Sequence, residues 1–139
     1  MRSKAPLALA ELAVMLAVFA LASALCLKAF LWADTVSAHQ ADRDRALLEV
    51  QNAAELMKHH AGDGGAAART FGGLWDGETW VILYDEGWGI TEDMHAYSVC
   101  VRVTDSGLPH LGRAEVTAFR GDVPLAELEV CWQEVSGNG

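Results

Sequence analysis

Positive charge is what this chain has little of over most of its length. Residues 33–139 carry seven basic and eighteen acidic side chains, a balance of −11 within a whole-chain charge of −9. Such an acidic body argues against nucleic-acid binding, which needs a basic footprint to displace counterions. Cysteine is scarce as well: three in 139 residues, an odd number with no CxxC pair, which leaves a zinc or thioredoxin-like centre without support. No nucleophile motif, phosphate-binding glycine loop or pair of catalytic carboxylates occurs, so neither an enzyme nor a cofactor is expected. Residues 33–60 lack glycine and proline altogether, which excludes a turn or a break there.

What the chain does have is one long apolar run, "APLALAELAVMLAVFALASALCLKAF". Residues 7–27 would span about 31 Å as a helix, close to the roughly 30 Å hydrocarbon core of a bilayer. Ten of these residues are Leu, Val or Phe, together favouring insertion by about 3–6 kcal/mol. The acid inside the run, Glu11, costs up to about 2.5–3.5 kcal/mol at mid-membrane and less near an end, so insertion wins. The basic pair Arg2 and Lys4 fits the cytoplasmic face, leaving the rest of the chain outside. Two rivals remain open: a cleaved secretory signal ending at "ASA" (22–24), and a buried core helix, which uninterrupted apolarity disfavours.

Beyond the run, "ADTVSAHQADRDRALLEVQNAAELMKHH" is rich in strong helix formers. Leu47, Val50, Ala54 and Met57 mark an apolar stripe at helical spacing. Histidines in the last turn and the glycines of "AGDGG" predict the stop. The period then changes from helical to two-fold. Four runs, at 78–85, 95–103, 112–120 and 125–135, read as strands of an antiparallel sheet with one wet face. The helical stripe is the natural cover for the dry face. The expected organisation is therefore α+β: basic leader 1–6, transmembrane helix 7–32, amphipathic continuation 33–61, linker 62–77, sheet domain of about four strands 78–135 and tail 136–139.

That order resembles the type IV pilins and the pseudopilins of type II secretion. In that family a basic leader precedes an apolar helix whose fifth mature residue is glutamate. "LALAELAVMLAVFALASA" plays the part here, and counting back from Glu11 makes Leu7 the first mature residue. Pro6 stands where the family has glycine, sometimes alanine. The leader is then either cut between Pro6 and Leu7 by a prepilin peptidase, cut in a shifted register next to Ala5, or kept. The resemblance implies a bacterial structural subunit of a pilus, secretion or DNA-uptake assembly, single-pass in the cytoplasmic membrane. Its partners would be membrane lipid and other pilin-like subunits, met through the N-terminal helices. Glu11 would face the positive N-terminal amine of a neighbouring subunit, since a carboxylate in lipid needs a partner. The alternative is a membrane-tethered or secreted small β-domain that binds a partner or ligand without forming filaments.

Other residues stand out less. Cys100 and Cys131 lie on the wet face of the second and fourth runs, and a disulfide between them requires those strands to be neighbours. Cys26 reads as apolar packing. "RGD" at 120–122 reads as a turn rather than an adhesion signal. His59 and His60 are adjacent, so they diverge by about 100° on a helix and cannot form an i, i+4 metal pair. The acids Asp85, Glu86, Glu92 and Asp93 read as a solvated loop, and the tryptophans of the sheet region as core or edge packing.

Overall fold

The computed structural model describes residues 4–134. Arg2 of the basic leader, Val135 of the last predicted run and the tail 136–139 lie outside them. The chain divides into two units, Met1–Gln40 and Ala41–Gly139.

The first unit is helix. α1 runs from Ala5 to His59 and so begins before the predicted start at residue 7. Its first turn accommodates Pro6, whose missing N–H is one that a helix start leaves unpaired anyway. The Lys4 carbonyl accepts the Ala8 N–H at 3.2 Å. Every described residue up to Ala41 is exposed, and the most apolar window reaches a mean hydropathy of 2.3. This helix is long and apolar enough to cross a membrane. Its polar interruptions are muffled locally. The Ser23 hydroxyl donates to the Phe19 carbonyl at 2.8 Å, and Thr35 to the Trp32 carbonyl at 2.7 Å, so neither hydroxyl needs water.

The second unit is α+β, a long helix on a five-stranded antiparallel sheet. Residues 41–59 of α1 bury Ala46, Glu49, Val50, Ala53, Ala54 and Met57. Val50, Ala54 and Met57 of the predicted stripe are buried, but Leu47 is 42% exposed, and Ala46, Glu49 and Ala53 join the buried face instead. Leu47 falls one residue, about 100°, from the buried Ala46. α1 ends in a Schellman motif, with the Gly62 N–H on the Met57 carbonyl at 2.8 Å and the Ala61 N–H on the Lys58 carbonyl at 3.1 Å. Ala61 itself takes the left-handed position at φ 50.

The predicted linker is not structureless. It holds α2 (Gly64–Phe71) and a two-residue strand β1 (Leu74–Trp75). Asp63 caps α2, its Oδ1 accepting the Ala66 N–H at 2.9 Å. β2 (Thr79–Tyr84), β3 (Tyr97–Thr104), β4 (Leu111–Arg120) and β5 (Val123–Gln133) complete the chain order. The sheet is a simple meander, β1-β2-β3-β4-β5, every pair antiparallel. Five strands replace the four expected because the short β1 lies within the segment that reads as linker. β4 and β5 are joined through Gly121 and Asp122 alone, with Gly121 at φ 57, as a tight hairpin requires. The "RGD" tripeptide is thus this turn. Pro124 is tolerated because β5 is an edge strand.

The sheet's dry face carries Trp80, Ile82 and Tyr84 from β2, Tyr97, Val99 and Val101 from β3, and Ala114, Val116 and Ala118 from β4. Val130 and Trp132 complete it from β5. Two glycines are fixed by Trp132: a Cβ at either Gly62 or Gly112 would collide with its indole.

Candidate functional site

Two places in the molecule concentrate chemistry, one in each unit. In the first unit it is Glu11. The side chain projects from the second turn of α1, flanked by Leu7, Leu12, Val14 and Met15, all more than half exposed. Among the described residues no hydrogen bond or ion pair reaches the side chains of Lys4 or Glu11. An exposed apolar helix with one unpaired carboxylate is stable only where lipid or another chain covers it. The predicted cleavage point, Pro6 and Leu7, lies inside the first helical turn. Cys26 is exposed on the same helix.

The second unit centres on a polar and aromatic network that sequence reasoning missed. Asp42 accepts from Arg120 (Nη1 to Oδ2, 2.7 Å) and from the Tyr97 hydroxyl (3.1 Å). The Arg120 guanidinium lies 5.5 Å from the Tyr97 ring centre. Trp88 stacks on Tyr97, centroids 4.1 Å apart and planes 16° from parallel, and leans on Tyr84 at 5.5 Å. One helical heptad beyond Asp42, the buried Glu49 accepts from the Tyr84 hydroxyl at 3.2 Å, from Arg45 at 2.9 Å and from Asn52 at 3.4 Å. A buried carboxylate with three donors is satisfied rather than stranded.

The phenols feel this environment. Burial, reinforced by the Glu49 charge, holds Tyr84 well above its ordinary value of 10.0. Burial and the bond to Asp42 push Tyr97 up as well. Trp88 adopts φ 62, a left-handed backbone that its ring's stacking on Tyr97 and contact with Tyr84 sustain. Asp42 and Glu49 come from α1 and bond Tyr84 of β2, Tyr97 of β3 and Arg120 of β4, while Arg45 braces Glu49 from the same helix, so the network locks the helix to one register on the sheet. Its helical half has i, i+4 and i, i+7 spacing; the sheet half has no local signal.

The structure also places the other residues singled out by sequence. Cys100 and Cys131 are free thiols, and no disulfide joins them, contrary to the pairing entertained for them. β4 lies between their strands, Cys100 opposite Thr117 and Cys131 opposite Arg113. That places their Cα atoms about 16 Å apart by strand spacing and rise, far beyond the roughly 7 Å a bridge can span. Burial also pushes the Cys100 thiol up, away from the reactive thiolate. Asp85 turns its carboxylate inward on the loop, accepting the Gly87 and Gly89 N–H groups at 2.8 and 2.9 Å. Among the described residues no group of three or more His, Cys, Asp or Glu could hold a metal ion. His59 and His60 meet edge to face at 5.1 Å.

No protein-family profile, no curated protein and no solved structure matches this chain.

Proposed function

We propose that this chain is a pilin-like structural subunit, a minor pilin or pseudopilin of a type IV pilus, type II secretion or DNA-uptake type assembly. It is held in the bacterial cytoplasmic membrane by its N-terminal helix, the basic start inside and the sheet domain outside. One observation carries the reading. A single helix, Ala5–His59, is wholly exposed and apolar through residue 33 except for Glu11, Ser23 and Lys28, and becomes the core-packing helix of an antiparallel meander in its last nineteen residues. An anchor attached to a domain merely for tethering needs no acid in its lipid-facing part, and such an acid is costly unless another chain supplies a counter-charge. The sheet domain, by contrast, satisfies its own buried carboxylate and needs no partner for it.

The test is Glu11→Ala in the full chain, in the bacterial cells that make it. The variant is expected to remain in the membrane fraction, resistant to carbonate extraction, while high-molecular-weight assemblies captured by cross-linking fall at least about tenfold. Undiminished assembly of the variant refutes the reading. A chain recovered in the soluble fraction beginning near Leu25 establishes the secreted β-domain instead.

A further inference from the structure

β5 closes the meander on one side, and its backbone is open along the outer edge. The Glu134 N–H donates to the His110 carbonyl at 2.8 Å, in register with Leu111 opposite Gln133. In an antiparallel ladder bonded pairs alternate, so the even-numbered residues from Ala126 to Trp132 turn their N–H and C=O groups to β4. Glu127, Glu129, Cys131 and Gln133 turn theirs outward, where no described residue bonds them. Natural sheets blunt such an edge with proline, lysine or a bulge. Here Pro124 and the register shift at Ala118 and Phe119 blunt only the start of the strand. From Glu127 to Gln133 the edge is plain. A groove of about 220 Å³ lies beside it on the helix side, lined by Gln51, Ala54, Glu55 and Lys58 of α1 and by Leu128 and Val130 of β5. Its two charges already pair with each other at 3.2 Å. The strand's other face is acidic. From Gly121 to Glu134 the chain carries Asp122, Glu127, Glu129 and Glu134 and no cation. Arg113 of β4 bonds Glu129 and also reaches Glu115 at 4.0 Å, whereas no ion pair among the described residues reaches Glu127.

We propose that this edge of β5 docks an extended segment of another protein, one in which lysine or arginine alternates with small aliphatic residues. Added as a further strand, the segment exchanges backbone hydrogen bonds with Glu127, Glu129, Cys131 and Gln133. Residues placed opposite Glu127 and Glu129 share their face, so a cation there meets an acid. Residues placed opposite Leu128 and Val130 enter the groove over Ala54, whose charges are already satisfied, and small uncharged side chains fit there. The edge therefore selects a two-fold alternation of charge and aliphatic side chain. A second copy of this chain is the wrong occupant. Its β5 brings the same acids and no cation, and like charges across paired strands repel. Its opposite sheet edge, β1, is two residues long and too short to cover Glu127 to Gln133. The proposal uses no feature of the apolar helix, so it stands whether or not Glu11 directs assembly.

The test titrates the full chain in detergent micelles against a fluorescent peptide that alternates lysine with valine over the length of the edge. Saturable binding is expected in fluorescence anisotropy, and a glutamate–valine peptide of the same length should not bind. Methylating the peptide nitrogens that face β5 should weaken binding at least about tenfold, because charge attraction alone remains. Glu127→Lys with Glu129→Lys should exchange the preference, so that the glutamate peptide binds and the lysine peptide does not. Cys131→Pro removes one outward N–H and no bond to β4, and should also weaken binding at least about tenfold. Where a variant loses its near-ultraviolet circular dichroism, the methylated peptide on the native chain decides alone. The edge is located by cross-linking. In a chain carrying Cys26→Ala and Cys100→Ser, Cys131 should form a mixed disulfide with peptides that bear cysteine at a lysine position and not at a valine position. Bonded pairs lie about 5.5 Å apart between Cα atoms, within a disulfide's reach, and their side chains share a face. No saturable binding, equal binding of the methylated peptide, or cross-linking through the valine positions overturns the proposal. Dimers of the full chain joined through Cys131 of both copies, with no peptide bound, overturn the choice of occupant.

Discussion

The two units of this chain obey opposite rules. Up to Gln40 the described helix buries nothing: Leu7, Phe19 and Trp32 are each more than 70% exposed. From Ala41 onward the same helix covers a sheet whose Trp80, Ile82, Val99, Val101 and Val116 are fully buried. The carboxylates show the contrast most sharply. Glu49 is buried with three donors at hand, whereas Glu11 is exposed among leucines and paired with nothing among the described residues. One unit is complete by its own contacts; the other is a surface waiting for surroundings. Stability of the fold is therefore a property of the second unit, and substitutions there should act on its unfolding and leave the exposed apolar helix intact.

The largest effect is expected from Trp80→Ala. The indole is fully buried and donates to the Gly72 carbonyl at 2.9 Å, so the substitution removes packing and leaves an acceptor unpaired. The cost should be about 3–5 kcal/mol, a large share of the roughly 5–15 kcal/mol typical of a domain. Thermal unfolding of the full chain in detergent, followed by near-ultraviolet circular dichroism, should show the sheet domain melting far earlier. The far-ultraviolet signal of the exposed apolar helix should persist through that transition. Simultaneous loss of both signals breaks the contrast between the units. Gly112→Ala should come next, at about 1–3 kcal/mol, because its methyl would run into the Trp132 indole.

How much of this is legible in the sequence depends on how local each signal is. The apolar run and the two-fold alternation of β2–β5 are periodic along the chain, so they can be read without knowing what packs on what. The stripe on α1 is read correctly at Val50, Ala54 and Met57 and wrongly at Leu47, because alanine is as compatible with a core as with a surface. Only the packing of the helix on the sheet decides for Ala46 and Ala53 over Leu47. "GDGGAAARTFGG" reads as a linker by its glycines. It nevertheless folds, because Asp63 caps α2 and because Gly64 leaves room for Trp75, whose ring a Cβ there would strike. The Trp88–Tyr97–Arg120–Asp42 arrangement spans 78 residues of sequence, so no window could contain it. Glu11, conversely, is visible from sequence because it violates its surroundings, and the structure leaves that violation unrelieved among the described residues.

The smallest and most specific prediction concerns Tyr84. Its phenol is held above the ordinary value of 10.0, so in the folded domain it stays neutral when an unfolded tyrosine ionises. Below about pH 10 the group is neutral in both states and its contribution is fully present. As pH rises past that point the unfolded chain releases a proton that the folded one keeps, and stability falls. Tyr97, raised in the same direction, adds to the slope. Tyr84→Phe should therefore do two things of opposite sign. Near neutrality it removes one donor from buried Glu49 and costs about 1 kcal/mol. Between roughly pH 10 and 12 it flattens the decline, so the gap to the wild type narrows and the two denaturation curves converge. Urea titrations of both proteins at about pH 8 and pH 11 measure this directly. A constant gap at the two values would mean that the phenol is as free to ionise in the fold as out of it, and that the Glu49 network is more open to water than its geometry indicates.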